Sequence, residues 1–105
     1  HLHWWPHKGT TEWVQYAFSE PTEVSGVSVF WFDDTATGQC RVPKQWKVLY
    51  RDNGVWKSVQ NSGDYTTTVD DFDRVIFLPV KTDALRLEVQ LQEDFSSGIQ
   101  EWMVQ

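Results

Sequence analysis

Between Ala84 and Leu91 the sequence alternates without a fault. Leu85, Leu87, Val89 and Leu91 are apolar, and Arg86, Glu88 and Gln90 stand between them. A period of two places the sets on opposite faces of a pleated strand, one toward a core and one toward water. The same period marks Glu12–Phe18, with Val14, Tyr16 and Phe18 on one face and Trp13 and Gln15 on the other. It recurs in Val24–Phe32, Gln45–Arg51, Val55–Val59, Phe72–Leu78 and Ile99–Val104. Aromatics on both faces of Val24–Phe32 argue against a fully open edge there. Pro21 within Ser19–Glu23 predicts a turn, Gly26 a bulge or close approach, and Pro79 an edge or bend. Asp52-Asn53-Gly54 predicts a hairpin, because Asn-Gly accepts the positive φ such turns require. Seven or so short strands and no helical period predict an all-β antiparallel sandwich.

At 105 residues the chain predicts one domain with a modest core. Its net charge of −6 and its scattered Lys and Arg exclude a phosphate-backbone partner, so no nucleic acid is expected. An anionic membrane surface is disfavoured for the same reason, and no run is apolar enough for a membrane helix. Cys40, the lone cysteine, has no partner for an internal disulfide and reads as a small, partly buried filler. A start at His1, with no methionine and no signal peptide, leads us to expect a piece of a longer protein.

Seven tryptophans exceed what a core of this size needs, so some are expected to face a ligand or a neighbouring domain. Two segments bring aromatics beside polar groups. His1–Thr11 lacks any period and carries Trp4, Trp5, His7 and Lys8. Sugars present apolar CH faces that stack on aromatic rings and hydroxyls that need donors and acceptors, so this group suits a glycan. The alternative is that Trp4 or Trp5 caps the sandwich. The loop Asp33–Lys44 must lie at the surface and carries Asp33, Asp34 and Arg41. A carboxylate accepts from two hydroxyls and an arginine fork donates to two more. The same residues read equally well as an internal ion pair that pins the loop. Asp70, Asp71 and Asp73 lack the glycine and glutamate of a calcium loop and read as a solvated turn. His1, His3 and His7 match no zinc spacing.

Four segments, in order, resemble the discoidin-like, or coagulation-factor type C, domains of the galactose-binding-like jelly rolls. They are TEWVQYAFSEPTEVSGVSVFW, RVPKQWKVLYRDNGVWKSV, FDRVIFLPVKTDALRLEVQ and FSSGIQEWMV. The wording HKGTTEWVQY, WFDD, CRVP and FSSGIQEW is similar to accessory β-sandwich domains at the C-terminal end of bacterial glycoside hydrolases, such as β-L-arabinofuranosidases. The resemblance implies an antiparallel jelly-roll β-sandwich. Relatives begin with a further strand and an Asp-Gly loop, which nothing before His1 supplies. The expectation is therefore a jelly roll short of its first strand. A structural calcium held by many relatives would lose most of its ligands with that loop. Only Glu101 matches one, so no cofactor or metal is expected. In sugar-binding relatives an arginine and a histidine from neighbouring loops hold hydroxyls, and Arg41 and His7 are the comparable positions. Phe95, in the exposed loop Gln92–Gly98, matches an aromatic platform, with burial under its own loop as the alternative.

Catalysis finds no support: there is no nucleophile elbow, phosphate loop or zincin helix. Asp33 and Asp34 are neighbours on one loop, which is poor geometry for two carboxylates flanking a glycosidic bond. The function expected is noncatalytic binding of a neutral oligo- or polysaccharide, by a module attached to the catalytic domain of a parent hydrolase. The resemblance implies a secreted or periplasmic protein. A brace packed on a catalytic domain without its own ligand, and a protein or cell-surface adhesion module, are the alternatives.

Overall fold

The computed structural model of the chain describes residues 2–60 and 63–105; His1, Asn61 and Ser62 lie outside them. The described residues form six strands and no helix. These are β1 (Leu2–His3), β2 (Thr11–Phe32), β3 (Gln45–Asp52), β4 (Val55–Ser58), β5 (Phe72–Gln90) and β6 (Gly98–Val104). All pairings between them are antiparallel, in the order β1-β6-β2-β5-β3-β4.

Two long strands turn this one sheet into two layers. The N-terminal half of β2 pairs with the C-terminal half of β5, which also carries β3. The C-terminal half of β2 pairs with the N-terminal half of β5 on one side and with β6 on the other. Both strands bend where pairing lapses, between Ala17 and Thr22 and between Val24 and Gly26 of β2. Bulges of this kind increase twist and fold a ribbon over. The layers meet in a core where Trp31 of β2 lies edge-on to Trp46 of β3, with ring centroids 5.4 Å apart. Leu85, Leu87, Val89 and Leu91 are all buried in it, as their alternation predicts.

The strand count differs from the expectation because prolines do not end strands here. Pro21 falls in the unpaired stretch between Ala17 and Thr22. Pro79 falls between Ile76 and Val80, which are paired to Gly26 and Val24. A residue without an N–H is tolerated in a ladder where no bond is due. Gly26 lies at the same bend, where a Cβ would meet Val75 O at 3.1 Å and Ile76 Cδ1 at 3.0 Å. The Asn53-Gly54 hairpin forms as expected, with φ of 49° and 80° and Asp52 paired to Val55.

Two residues depart from their predicted surroundings. Trp4, expected at a ligand face, is buried in the core cluster, so its ring is not available for stacking on a ligand. Asp73, expected in a solvated turn, is only 1% exposed. It lies on β5 with the parity of the buried Val75 and Phe77. Its carboxylate accepts from Thr66 Oγ1 at 2.6 Å and from Thr68 N at 2.9 Å.

Candidate functional site

Three loops gather at one end of the sandwich and are tied to one another by main-chain hydrogen bonds. The first, residues 4–10, follows β1; the second, residues 33–44, joins β2 to β3; the third, residues 91–97, joins β5 to β6. Trp4 N donates to Ser97 O at 3.0 Å and Gly9 N to Phe95 O at 3.2 Å. Ser96 N donates to Gln39 O at 2.9 Å and Arg41 N to Ser96 O at 3.0 Å. Cys40 and Ser96 form a parallel bridge. The rim is thus a continuous small scaffold, which holds side chains more firmly than free loops would.

Inside the second loop, acids organise the backbone. Asp33 accepts from Thr35, through both its N–H and its hydroxyl, and from Val42 N at 3.2 Å. Asp34 accepts the Cys40 N–H at 2.7 Å through Oδ1, and its carbonyl accepts from Thr37 N and Gly38 N. Arg41 Nη1 donates to Gly38 O and Cys40 O, both at 2.9 Å, and lies 3.7 Å from Asp34 Oδ1. Its guanidinium sits 4.4 Å from the Phe95 ring centroid. This is the loop-pinning ion pair of the alternative reading, with a cation–π contact added. The Phe95 ring face under Arg41 is therefore already covered.

Trp5 is arranged differently. It is 51% exposed, its ring stacks on His3 with centroids 3.8 Å apart, and its indole Nε1 donates to Cys40 Sγ at 2.7 Å. Stacking and the N–H contact fix the ring while leaving half of its surface open. Beside it lies an open depression of about 350 Å³ lined by Trp5, Lys8, Asp34, Thr37, Gly38 and Gln39. Of the predicted residues, Trp5, Lys8 and Asp34 come together here. His7 belongs to the same loop, but its Nδ1 is 3.5 Å from Glu12 Oε2 at the start of β2. Thr37, Gly38 and Gln39 were missed. Their only signal is position, between Asp34 and Arg41 in one loop.

Cys40 is fully buried under Trp5. Burial pushes its thiol above the ordinary value, and the Trp5 hydrogen bond opposes that rise. A raised thiol stays protonated to higher pH and is a poor nucleophile. Iodoacetamide is expected to leave Cys40 unmodified in the folded protein at neutral pH and to label it fully in denaturant. Fast labelling of the native state, read by mass spectrometry, would contradict this placement.

The chain matches the model of the F5/8 type C domain over residues 3–102. It belongs to the F5/8 type C domain family. Solved structures with the same fold include one from the Streptococcus pneumoniae β-galactosidase BgaA, at a TM-score of 0.78 and 16% identity, covering 94% of this chain and 73% of that one. A pectin-binding carbohydrate-binding module matches at a TM-score of 0.69 and 17% identity, over 91% of this chain and 67% of that one. Chitosan-binding module 1 of a chitosanase/glucanase from Paenibacillus sp. IK-5 matches at a TM-score of 0.69 and 15% identity, over 93% and 71%. At such identities the likeness is one of fold. Among the described residues no three His, Cys, Asp or Glu side chains converge on one point, and Glu101 stands exposed on β6.

Proposed function

We propose that this F5/8 type C domain is a noncatalytic carbohydrate-binding module that accompanies a glycoside hydrolase, and that its loop rim holds a neutral glycan. The observation that carries this reading is the depression beside Trp5. An exposed, immobilised indole supplies a flat apolar surface for the CH face of a pyranose. Lys8 donates, Asp34 accepts, and Thr37 and Gln39 do both, which suits a ring of hydroxyls. Arg41 acts behind this surface by holding Asp34 and the Gly38 and Cys40 carbonyls in place. The net charge of −6 disfavours polyanions. A single shallow, wet site gains little beyond its desolvation cost, so weak affinity is expected. The module would act outside the cytoplasm, in the secreted or periplasmic space where polysaccharides are met.

The test is an NMR titration with the neutral galactan and arabinan oligosaccharides, with pectin and chitosan oligosaccharides, of the kinds two structural neighbours bind, as the charged comparison. At least one neutral oligosaccharide should move the Trp5 indole N–H and the backbone amides of residues 34–40. Trp5→Ala should weaken that binding about tenfold, the stacking share of a site this small. Silence across the panel would leave the brace reading in its place. One observation favours that second reading: Asp33, Arg41 and one face of Phe95 are already engaged within the domain. A rim built this way also suits contact with a catalytic domain.

A further inference from the structure

The outer face of the first layer carries a second constellation, remote in sequence from the rim loops. Register fixes it. Thr11 of β2, Gln90 of β5 and Gln45 of β3 form one row across the strands. Trp13, Glu88 and Lys47 form the next, and Gln15, Arg86 and Leu49 the third. On β4 this row continues with Ser58, and Trp56, opposite Arg51, reaches across to it with its ring centroid 4.2 Å from the Arg86 guanidinium. Trp13 approaches the same guanidinium at 4.3 Å, and Arg86 Nη2 donates to Gln15 Oε1 at 3.0 Å. The cation holds the Trp13 ring in one place, although Trp13 is 55% exposed. An exposed aromatic fixed in this way loses little freedom when a ligand stacks on it.

Beside the row of Trp13, Glu88 and Lys47 the face sinks into a groove of about 450 Å³ lined by Thr11, Gln45, Lys47, Tyr65, Glu88, Gln90 and the buried Trp46, with Trp13 at its margin rather than in its wall. Its two charges, Lys47 and Glu88, lie 3.7 Å apart and offset each other. Burial raises the Tyr65 phenol above its ordinary value, so that wall stays neutral. Gln90 is positioned by Thr11 Oγ1 at 2.6 Å and by Gly9 O at 3.1 Å. The Gln45 carboxamide is exposed and has no side-chain hydrogen bond among the described residues. A groove with no net charge and with amide and hydroxyl walls, flanked by the rigid Trp13 indole on the adjoining row, complements an uncharged polyhydroxylated chain. A nucleic acid or a lipid headgroup would find no excess cation here, and a hydrophobic partner helix would find too little apolar surface.

We propose that this sheet face is a second glycan site, taking a neutral oligosaccharide across β2, β5 and β3. Trp13 stacks on one sugar ring, and Gln45, Gln90 and the Lys47–Glu88 pair meet the hydroxyls of the next. Three strands span about 10 Å, which suits a short stretch of chain rather than a single sugar. The site stands whether or not the rim binds, since the two share no lining residue.

The test is an NMR titration of the whole chain with cellohexaose, xylohexaose and galactohexaose. At least one should shift the Trp13 indole N–H together with the side-chain amides of Gln45 and Gln90. Trp13→Ala and, independently, Gln45→Ala should each weaken that binding at least about fivefold. Trp5→Ala should leave it unchanged. Gln45 is exposed, so its variant keeps the fold even if loss of Trp13 disturbs Arg86. The proposal is overturned if none of the three sugars moves these resonances at millimolar concentration. It is equally overturned if Trp5→Ala abolishes the shifts while Trp13→Ala and Gln45→Ala preserve them.

Discussion

Asp73→Ala is expected to lower the unfolding free energy by about 3 kcal/mol. The carboxylate is buried at the start of β5, opposite Val29, and serves as the acceptor for Thr66 and Thr68. Its removal takes the acceptor from the Thr68 N–H and the Thr66 hydroxyl together and leaves a gap at a buried position of β5. It also frees the stretch from Gly63 to Asp71, which covers the open flank of β3. In that stretch Tyr65 lies edge-on to Trp46 at 4.9 Å and takes a hydrogen bond from Val48 N at 3.2 Å. Thr66 O accepts the Trp46 indole N–H at 2.8 Å. Losing Asp73 should therefore wet Trp46. Urea unfolding followed by tryptophan emission measures both effects, with a lower midpoint and a redder native spectrum. Asp73→Asn keeps one acceptor oxygen and should lose about half as much. An Asp73→Ala loss below about 1 kcal/mol would mean that the carboxylate does not hold this stretch.

The second large effect is at Gly38. A Cβ there would fall 2.1 Å from Asp34 Oδ2 and 2.7 Å from its Cγ. A flexible side chain would normally step aside. Asp34 is held by the Cys40 N–H and by Arg41, so it can yield only by releasing both. Gly38→Ala should cost about 2 kcal/mol through this overpacking. It should also reshape the depression beside Trp5 and lower rim affinity about tenfold or more, since a misplacement of one ångström is enough to uncouple a polar site. The readouts are the thermal midpoint, the Cys40 amide resonance and the glycan titration. A variant with an unmoved Cys40 amide would show that Asp34 keeps its bond and that the backbone at residue 38 yields instead, which would overturn the expected loss of affinity.

The sequence carried the fold where a single period decides it. Ala84–Leu91 needs only its alternation, and all four of its predicted inward residues are buried. The Asn53-Gly54 turn needs only two residues that accept positive φ. Pro21 misled because a proline shows that one donor is missing and not whether that donor was needed. Only pairing with β5 reveals a gap at that point. Asp73 misled because its neighbours Asp70 and Asp71 suggested water, while its parity with Val75 and Phe77 pointed inward.

The candidate site was legible as a set of loops and less so as a set of roles. Trp5, Lys8 and Asp34 line one depression, and Arg41 reaches Phe95 as neighbours on a shared rim. The inward turn of Trp4 and the outward turn of Trp5 could not be separated, since the segment has no period to fix a face. Trp13, Arg86 and Trp56 were assigned to strands, but their meeting depends on the register of the β3–β4 hairpin and of two pairings far apart in sequence.

Because β2 and β5 each run through both layers, the order of assembly is constrained. Thr11 pairs with Gln90, 79 residues further along the chain, and Val27 pairs with Val104 near the other terminus. Such distant pairings close slowly, since most of the loop entropy is lost before any contact repays it. Of the strand pairs, only the β3–β4 hairpin can form early from adjacent residues. The two layers therefore cannot close until Phe72–Gln90 has followed Thr11–Phe32 in synthesis, and until then the core tryptophans of β2 and β3 lack the strand that buries them.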